Sequence, residues 1–144
     1  MKIYIASKYI EHREINRIIT QFLLNYGFDV FLPESINMDS KTKEEMAQIG
    51  NKCYTEIDSC DTLLVVSPIG RSVSAEIGFA IYKKIKFANI SIIQFRYKDT
   101  DKEKEDKEAM IAPFYDYIID SIATNDMNKA LNDLITVLTL LKNR

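Results

Sequence analysis

The chain's 144 residues, 47% hydrophobic and 28% charged, suffice for one core and are too few for two comfortable ones, which predicts one domain over residues 1–144 and argues against wholesale disorder. A net charge of −2, with both signs interspersed, provides no basic field to recruit nucleic acid. No apolar run approaches the roughly 20 residues of a membrane span.

Met1 to Ile5 reads directly as a strand rather than as a signal peptide, and Ile3 to Ala6 is its apolar part. Residues 11–26 place Ile15, Ile18, Ile19, Phe22 and Leu23 at the spacing of one helix face, and Gly27 closes that helix. Phe28 to Leu32 forms a second strand, ended by Pro33. Asp39 or Ser40 can cap a helix that runs through Met46, Ile49 and Ile57 towards Cys60. Thr62 to Ser67 is apolar on both faces, as a central strand covered on both sides must be. Pro68-Ile69-Gly70 breaks it, and Val73 to Lys84 makes the next helix. Ile90 to Phe95 is a further strand, and the charged run Lys98 to Glu108 reads as a solvated loop or exposed helix turn. Tyr115 to Ile119 forms a fifth strand, and Asp126 to Leu141 an amphipathic closing helix.

Strands alternating with helices imply a parallel sheet with helices on each face, because the crossovers are right-handed. The expected fold class is therefore α/β, a flavodoxin-like three-layer sandwich with a parallel five-stranded sheet. Ligands in such sheets bind outside the carboxyl ends of the strands, so chemistry is expected just after Ala6, Leu32, Ser67 and Phe95. Cys53 and Cys60 sit on one helix, two turns apart and too far to bridge. With one histidine and no CxxC, no structural zinc site can be assembled, and neither metal nor cofactor is expected. A reduced, cytoplasmic protein fits this cysteine usage.

The segment after Ser67 carries the most chemistry. A loop with Gly70, Arg71, Ser72 and Ser74 enters a helix at a strand's carboxyl end, where free N–H groups and the helix dipole favour a phosphate. Arg71 adds a bidentate fork. Neither GxGxxG nor GxxxxGK[ST] is present. Glu76, at the start of that helix, is the sharpest candidate. Acidic residues are favoured in a first turn in any case, but the capping box that would explain Glu76 needs Ser or Thr at the position of Val73. A carboxylate at the mouth of the sheet can attack a sugar's anomeric carbon.

Three blocks resemble the nucleoside 2-deoxyribosyltransferases and related nucleotide N-glycosidases: Lys2-Ile3-Tyr4-Ile5-Ala6-Ser7, the stretch Ile57 to Val66, and Gly70-Arg71-Ser72-Val73-Ser74-Ala75-Glu76-Ile77-Gly78-Phe79-Ala80. Ala109-Met110-Ile111 is similar to a segment that lines a neighbouring subunit's site in the nucleotide-hydrolysing branch. The resemblance implies that Glu76 is the nucleophile on C1′ and that Tyr4 orients it. It places Gly70, Arg71, Ser72 and Ser74 on the sugar's 5′ side, where Arg71 suggests a 5′-phosphate, and makes Gly78 and Ala80 small for close helix–sheet packing. Ser7 can face the sugar, and Met110 either packs or lines the pocket. Cys53 stands where the family usually has the acid that helps the base leave, and Glu56 or Asp58 can substitute. Asp61 reads as the end of its helix, His12 as a surface residue, Lys8 as solvent-exposed, and Tyr97, Tyr115 and Tyr117 as core or interface. The implied activity is cleavage or transfer at an N-glycosidic bond through a glycosyl-enzyme. A nucleotide-binding module with little turnover and an NAD glycohydrolase are the alternatives. The implied partners are a small nucleoside or nucleotide and further copies of the chain.

Overall fold

Five parallel strands stand in the order β2-β1-β3-β4-β5, the flavodoxin-like arrangement with its order reversing beside β1 and β3. The computed structural model describes residues 1–33, 42–99 and 111–144. The strands are β1 (Lys2–Ala6), β2 (Asp29–Phe31), β3 (Thr62–Ser67), β4 (Ser91–Arg96) and β5 (Tyr117–Asp120). The helices are α1 (Arg13–Asn25), α2 (Lys43–Ser59), α3 (Arg71–Phe87), a single turn α4 (Ser121–Thr124) and α5 (Met127–Lys142). Every residue of β3 is buried, as its two-faced apolar sequence requires.

The period-2 alternation of β1 sorts its side chains between two cores. Ile3 and Ile5 join Ile19, Leu23, Leu134 and Leu138 under α1 and α5, while Tyr4 and Ala6 join Ile57, Val73, Ile77 and Ala80 under α2 and α3. These two cores are the two faces of the sandwich.

Helix ends follow local chemistry. Gly27 takes φ +77 beyond α1, the left-handed conformation that glycine adopts without a Cβ clash. Asp126 caps α5 by accepting from the Lys129 N–H. The start of α2 corrects the expectation from sequence: Asp39 and Ser40 lie outside the described residues, and the cap is Thr42, whose hydroxyl accepts from the Glu45 N–H while the Glu45 carboxylate accepts from the Thr42 N–H. Thr-x-x-Glu is the capping-box spacing. β5 starts at Tyr117 rather than Tyr115 because Ala112–Phe114 form a 3-10 turn, and the Asp116 carboxylate then accepts from the Ile92 N–H.

Gly78 also departs from expectation. It is exposed and a Cβ there would meet open space, so close helix–sheet packing is not its role; Ala80, fully buried, does pack against the sheet. Among the described residues, no helix is long and apolar enough to cross a membrane.

Candidate active site

The buried stripe of α3 consists of Val73, Glu76, Ile77, Ala80 and Lys83, the i, i+3, i+4, i+7 spacing of a core face. Two of these five are charged, and burying a charge is costly unless it is partnered. Each charge meets a partner at an opposite edge of the sheet. Glu76 faces the carboxyl edge, where the Tyr4 hydroxyl donates to its Oε1 at 2.7 Å. Lys83 lies at the amino edge, where its Nζ donates to the carbonyls of Ile57 at 3.3 Å and Cys60 at 2.8 Å, and to that of Asp58. Those carbonyls end α2, where a cation is favoured by the helix dipole.

Because α3 starts at Arg71, Glu76 sits in its second turn and not in the first, and the first turn holds no acidic residue. The dipole explanation for an acid at a helix start therefore does not apply to Glu76. Burial pushes its carboxyl up to about 7, partly opposed by the Tyr4 hydrogen bond, since a low-dielectric surround disfavours the charged form and a donor favours it. The Tyr4 hydroxyl is held protonated by burial and by the neighbouring Glu76 charge, so it remains a donor. Phe31 stacks on the Tyr4 ring, with centroids 5.4 Å apart. Cys53, whose thiol interacts with the Tyr4 hydroxyl, is shifted upward chiefly by burial.

Glu76 lines a cavity of about 280 Å³ together with Ser7, Tyr9, Met46, Ile49, Cys53 and Tyr54. Tyr4 holds Oε1 of this carboxylate. A second cavity of about 270 Å³ is lined by Ser7, Lys8, Tyr9, Glu11, Gly70 and Arg71. Ser7, Tyr9, Ser72 and Val73 line both, so the two spaces adjoin across the end of β1. Each is near the lower end of ligand-pocket sizes, about 300 Å³. One end offers apolar and aromatic walls. The other offers Arg71, Lys8 and the first turn of α3, whose N-cap Gly70 supplies no side-chain cap.

The candidates named from sequence divide clearly. Tyr4, Glu76, Ser7, Gly70, Arg71 and Ser72 converge on these two cavities or on the hydrogen bond behind them. Gly70 is tight, since a Cβ there would lie 3.2 Å from the Lys8 side chain. Ser74 is exposed and donates back to the Gly70 carbonyl at 3.0 Å, lining neither cavity. Asp58 is also not brought to Glu76. It is exposed on the last turn of α2, at the amino edge, and Glu56 beside it pairs with Lys2 at 2.6 Å. A helix linking parallel strands runs antiparallel to them, so only the early residues of α2, here Met46 to Tyr54, reach the carboxyl edge. Met110 lies outside the described residues.

His12 and Lys8 also depart from the sequence expectation. His12 is buried, 2% exposed, with Nδ1 3.2 Å from the Ser7 Oγ and its ring edge-on to Tyr97. Lys8 packs along Gly70 and lines the second cavity. Tyr9 lines both cavities, where the carboxyl-edge rule points to the residues directly after β1. Among the described residues, no group of His, Cys, Asp and Glu could hold a metal ion.

The fold is similar to that of solved structures. A 2-deoxyribosyltransferase from Bacillus psychrosaccharolyticus superposes with a TM-score of 0.61 at 16% identity, covering 90% of this chain and 96% of its own. A conserved protein from Enterococcus faecalis V583 gives a TM-score of 0.51 at 24% identity, with 82% and 80% of the two chains covered. The rubredoxin oxygen:oxidoreductase of Desulfovibrio gigas gives 0.54 at 13% identity, with 99% of this chain matching 36% of that one. At these identities the likeness establishes the flavodoxin-like α/β fold. No protein-family model and no curated protein matches the sequence.

Proposed function

We propose that the chain is a nucleoside 2-deoxyribosyltransferase-like domain that cleaves or transfers at the N-glycosidic bond of a (deoxy)nucleoside or nucleoside 5′-monophosphate. One observation carries this reading: a buried carboxylate, Glu76, held by the Tyr4 hydroxyl at 2.7 Å, lines a cavity at the sheet's carboxyl edge. A carboxyl that is ionised at and above neutrality can attack as the carboxylate and depart again as the carboxylate.

In the proposed reaction, Glu76 Oε2 bonds to C1′ as the C1′–N bond breaks. The departing base nitrogen takes the electron pair and a proton from water. A water, or the N–H nitrogen of a second base, then attacks C1′, gives its proton to the hydroxide left by the first step, and releases Glu76 as a carboxylate. The apolar walls of Met46, Ile49 and Tyr54 suit a base, and Ser7, Ser72 and Arg71 suit a sugar bearing a 5′-phosphate. The fold shared with a 2-deoxyribosyltransferase supports the reaction class. Self-association belongs to the same reading and is supported by Tyr82, Ile85 and Phe87, large apolar side chains exposed on α3, as does a cytoplasmic location.

A second reading, a binding module with little turnover, is favoured by the position of Asp58 and Glu56 at the far edge, away from any departing base. Incubation with deoxynucleoside monophosphates, nucleosides and NAD, followed by chromatography for free base, separates the readings. Base release that disappears in a folded Glu76→Gln variant supports the enzyme. Binding without base release supports the module, and release from NAD alone supports a glycohydrolase of that dinucleotide.

A further inference from the structure

His12 occupies the N-cap position of α1, yet its side chain makes no capping hydrogen bond. Its backbone closes a turn by donating to the Lys8 carbonyl at 3.0 Å, and this places the ring beneath the loop that follows β1. There it is buried, with Nδ1 3.2 Å from the Ser7 Oγ and the edge of Tyr97 against it. Ser7 is one of four residues common to both cavities. His12 itself lines neither, so anything it does for a ligand passes through Ser7.

A serine hydroxyl has one proton and two lone pairs. If the buried imidazole accepts that proton, the hydroxyl offers the cavity only lone pairs, which suit a sugar hydroxyl. If Nδ1–H donates to Oγ, the Ser7 proton is turned outward and suits an anion. The cavity wall decides between them: Arg71, Lys8 and the uncapped first turn of α3 converge there, while Glu11 pairs with Lys8 at 3.4 Å. Such a surface selects negative charge.

We propose that His12 is a positioning residue that makes the Ser7 hydroxyl a hydrogen-bond donor to a phosphate ester seated between the end of β1 and the start of α3. The inference rests on the reading of the joined cavities as a nucleotide site. It assigns to the His12–Ser7 pair the discrimination between a phosphorylated and an unphosphorylated sugar. A donor to a charged acceptor is worth more than one to a neutral acceptor, so the pair acts mainly on the phosphorylated ligand.

The test is calorimetric binding in a Glu76→Gln background, where turnover does not deplete the ligand. The probes are the four common 2′-deoxynucleoside 5′-monophosphates, their nucleosides and inorganic phosphate. His12→Leu and Ser7→Ala are each expected to weaken monophosphate binding about tenfold and nucleoside binding by much less. The double variant is expected to be no weaker than either single one, because both remove the same interaction. His12→Asn, whose amide nitrogen reaches the place of Nδ1, is expected to recover most of the affinity, and His12→Gln, which reaches the place of Nε2, is not. This last comparison decides the matter if His12→Leu fails to fold. Additive losses, equal losses for nucleoside and monophosphate, no difference between the Asn and Gln variants, or no binding of any phosphate-bearing probe overturns the proposal. Base release by the otherwise unaltered chain is measured in parallel. Its absence beside the expected binding pattern refutes the catalytic reading and leaves the role of His12 standing.

Discussion

The Tyr4 hydroxyl and the Glu76 carboxylate meet at 2.7 Å although 72 positions of chain separate them. β1 delivers the tyrosine from the middle of the sheet and α3 delivers the carboxylate from above. Tyr4 stays protonated, fixes Oε1 and partly offsets the upward push of burial on the carboxyl. One hydroxyl therefore fixes the geometry of the proposed nucleophile, and burial opposed by that hydroxyl sets its ionisation.

Removing that hydroxyl is predicted to move the pH dependence in one direction. Tyr4→Phe takes away the interaction that lowers the Glu76 pKa and leaves desolvation unopposed. The alkaline-rising limb of the pH–rate profile should shift to higher pH, and kcat at neutral pH should fall about tenfold or more. An unshifted profile with reduced kcat would place the role of Tyr4 elsewhere.

Glu76 is predicted to cost stability. Its folded pKa, about 7, exceeds the ordinary value of 4.5, so the native state holds more protons than the unfolded state between these values. Stability therefore falls as pH rises through that window, by about 3 kcal/mol once both states are ionised. Glu76→Gln should accordingly unfold at a higher temperature than the unaltered protein at about pH 8 and at nearly the same temperature at about pH 4. Thermal scans at the two pH values check this, and an equal shift at both would refute it.

Most of the architecture was legible because hydrophobic period is a strong signal. Leu63 to Val66 could only be a covered strand, and Ile15, Ile19 and Leu23 could only be a helix face. Beside the motif resemblance, Glu76 carries a physical signal in the sequence: it interrupts the apolar stripe Val73, Ile77, Ala80, where an unpartnered charge would be expensive. Spacing along α2 does not by itself place Asp58, because the direction of the helix carries its C-terminal end away from the site. His12 was misjudged because a lone histidine early in a helix looks like surface, and only the turn from Lys8 to His12 carries its ring inward.

The second charge in that stripe leads to a prediction about folding alone. Lys83 serves three carbonyls at the end of α2, and Lys83→Met fills the volume while leaving those acceptors without their cation. It should cost about 3 kcal/mol, read from urea unfolding, with base release by the folded fraction unchanged. A loss within error would mean that water replaces the ammonium.

Thiol chemistry gives an independent view of the cavity. Burial pushes Cys60 up to about 12 and also raises Cys53, so both should react slowly with iodoacetamide at neutral pH. Cys53 lines the Glu76 cavity and Cys60 does not. Cys53 should react first, and a bound nucleoside monophosphate should protect it. Faster labelling of Cys60, or no protection at any ligand concentration, would contradict the placement of the ligand.

The central assignment can be tested by trapping the sugar on the protein. A 2′-fluoro-arabinosyl nucleoside, or its 5′-monophosphate, slows breakdown of a glycosyl-enzyme because fluorine destabilises the oxocarbenium-like transition state. After incubation and proteolysis, mass spectrometry should find one fluorosugar on the peptide that contains Glu76, and none in the Glu76→Gln variant. Base release with the sugar on another residue, or undiminished in Glu76→Gln, would contradict the account.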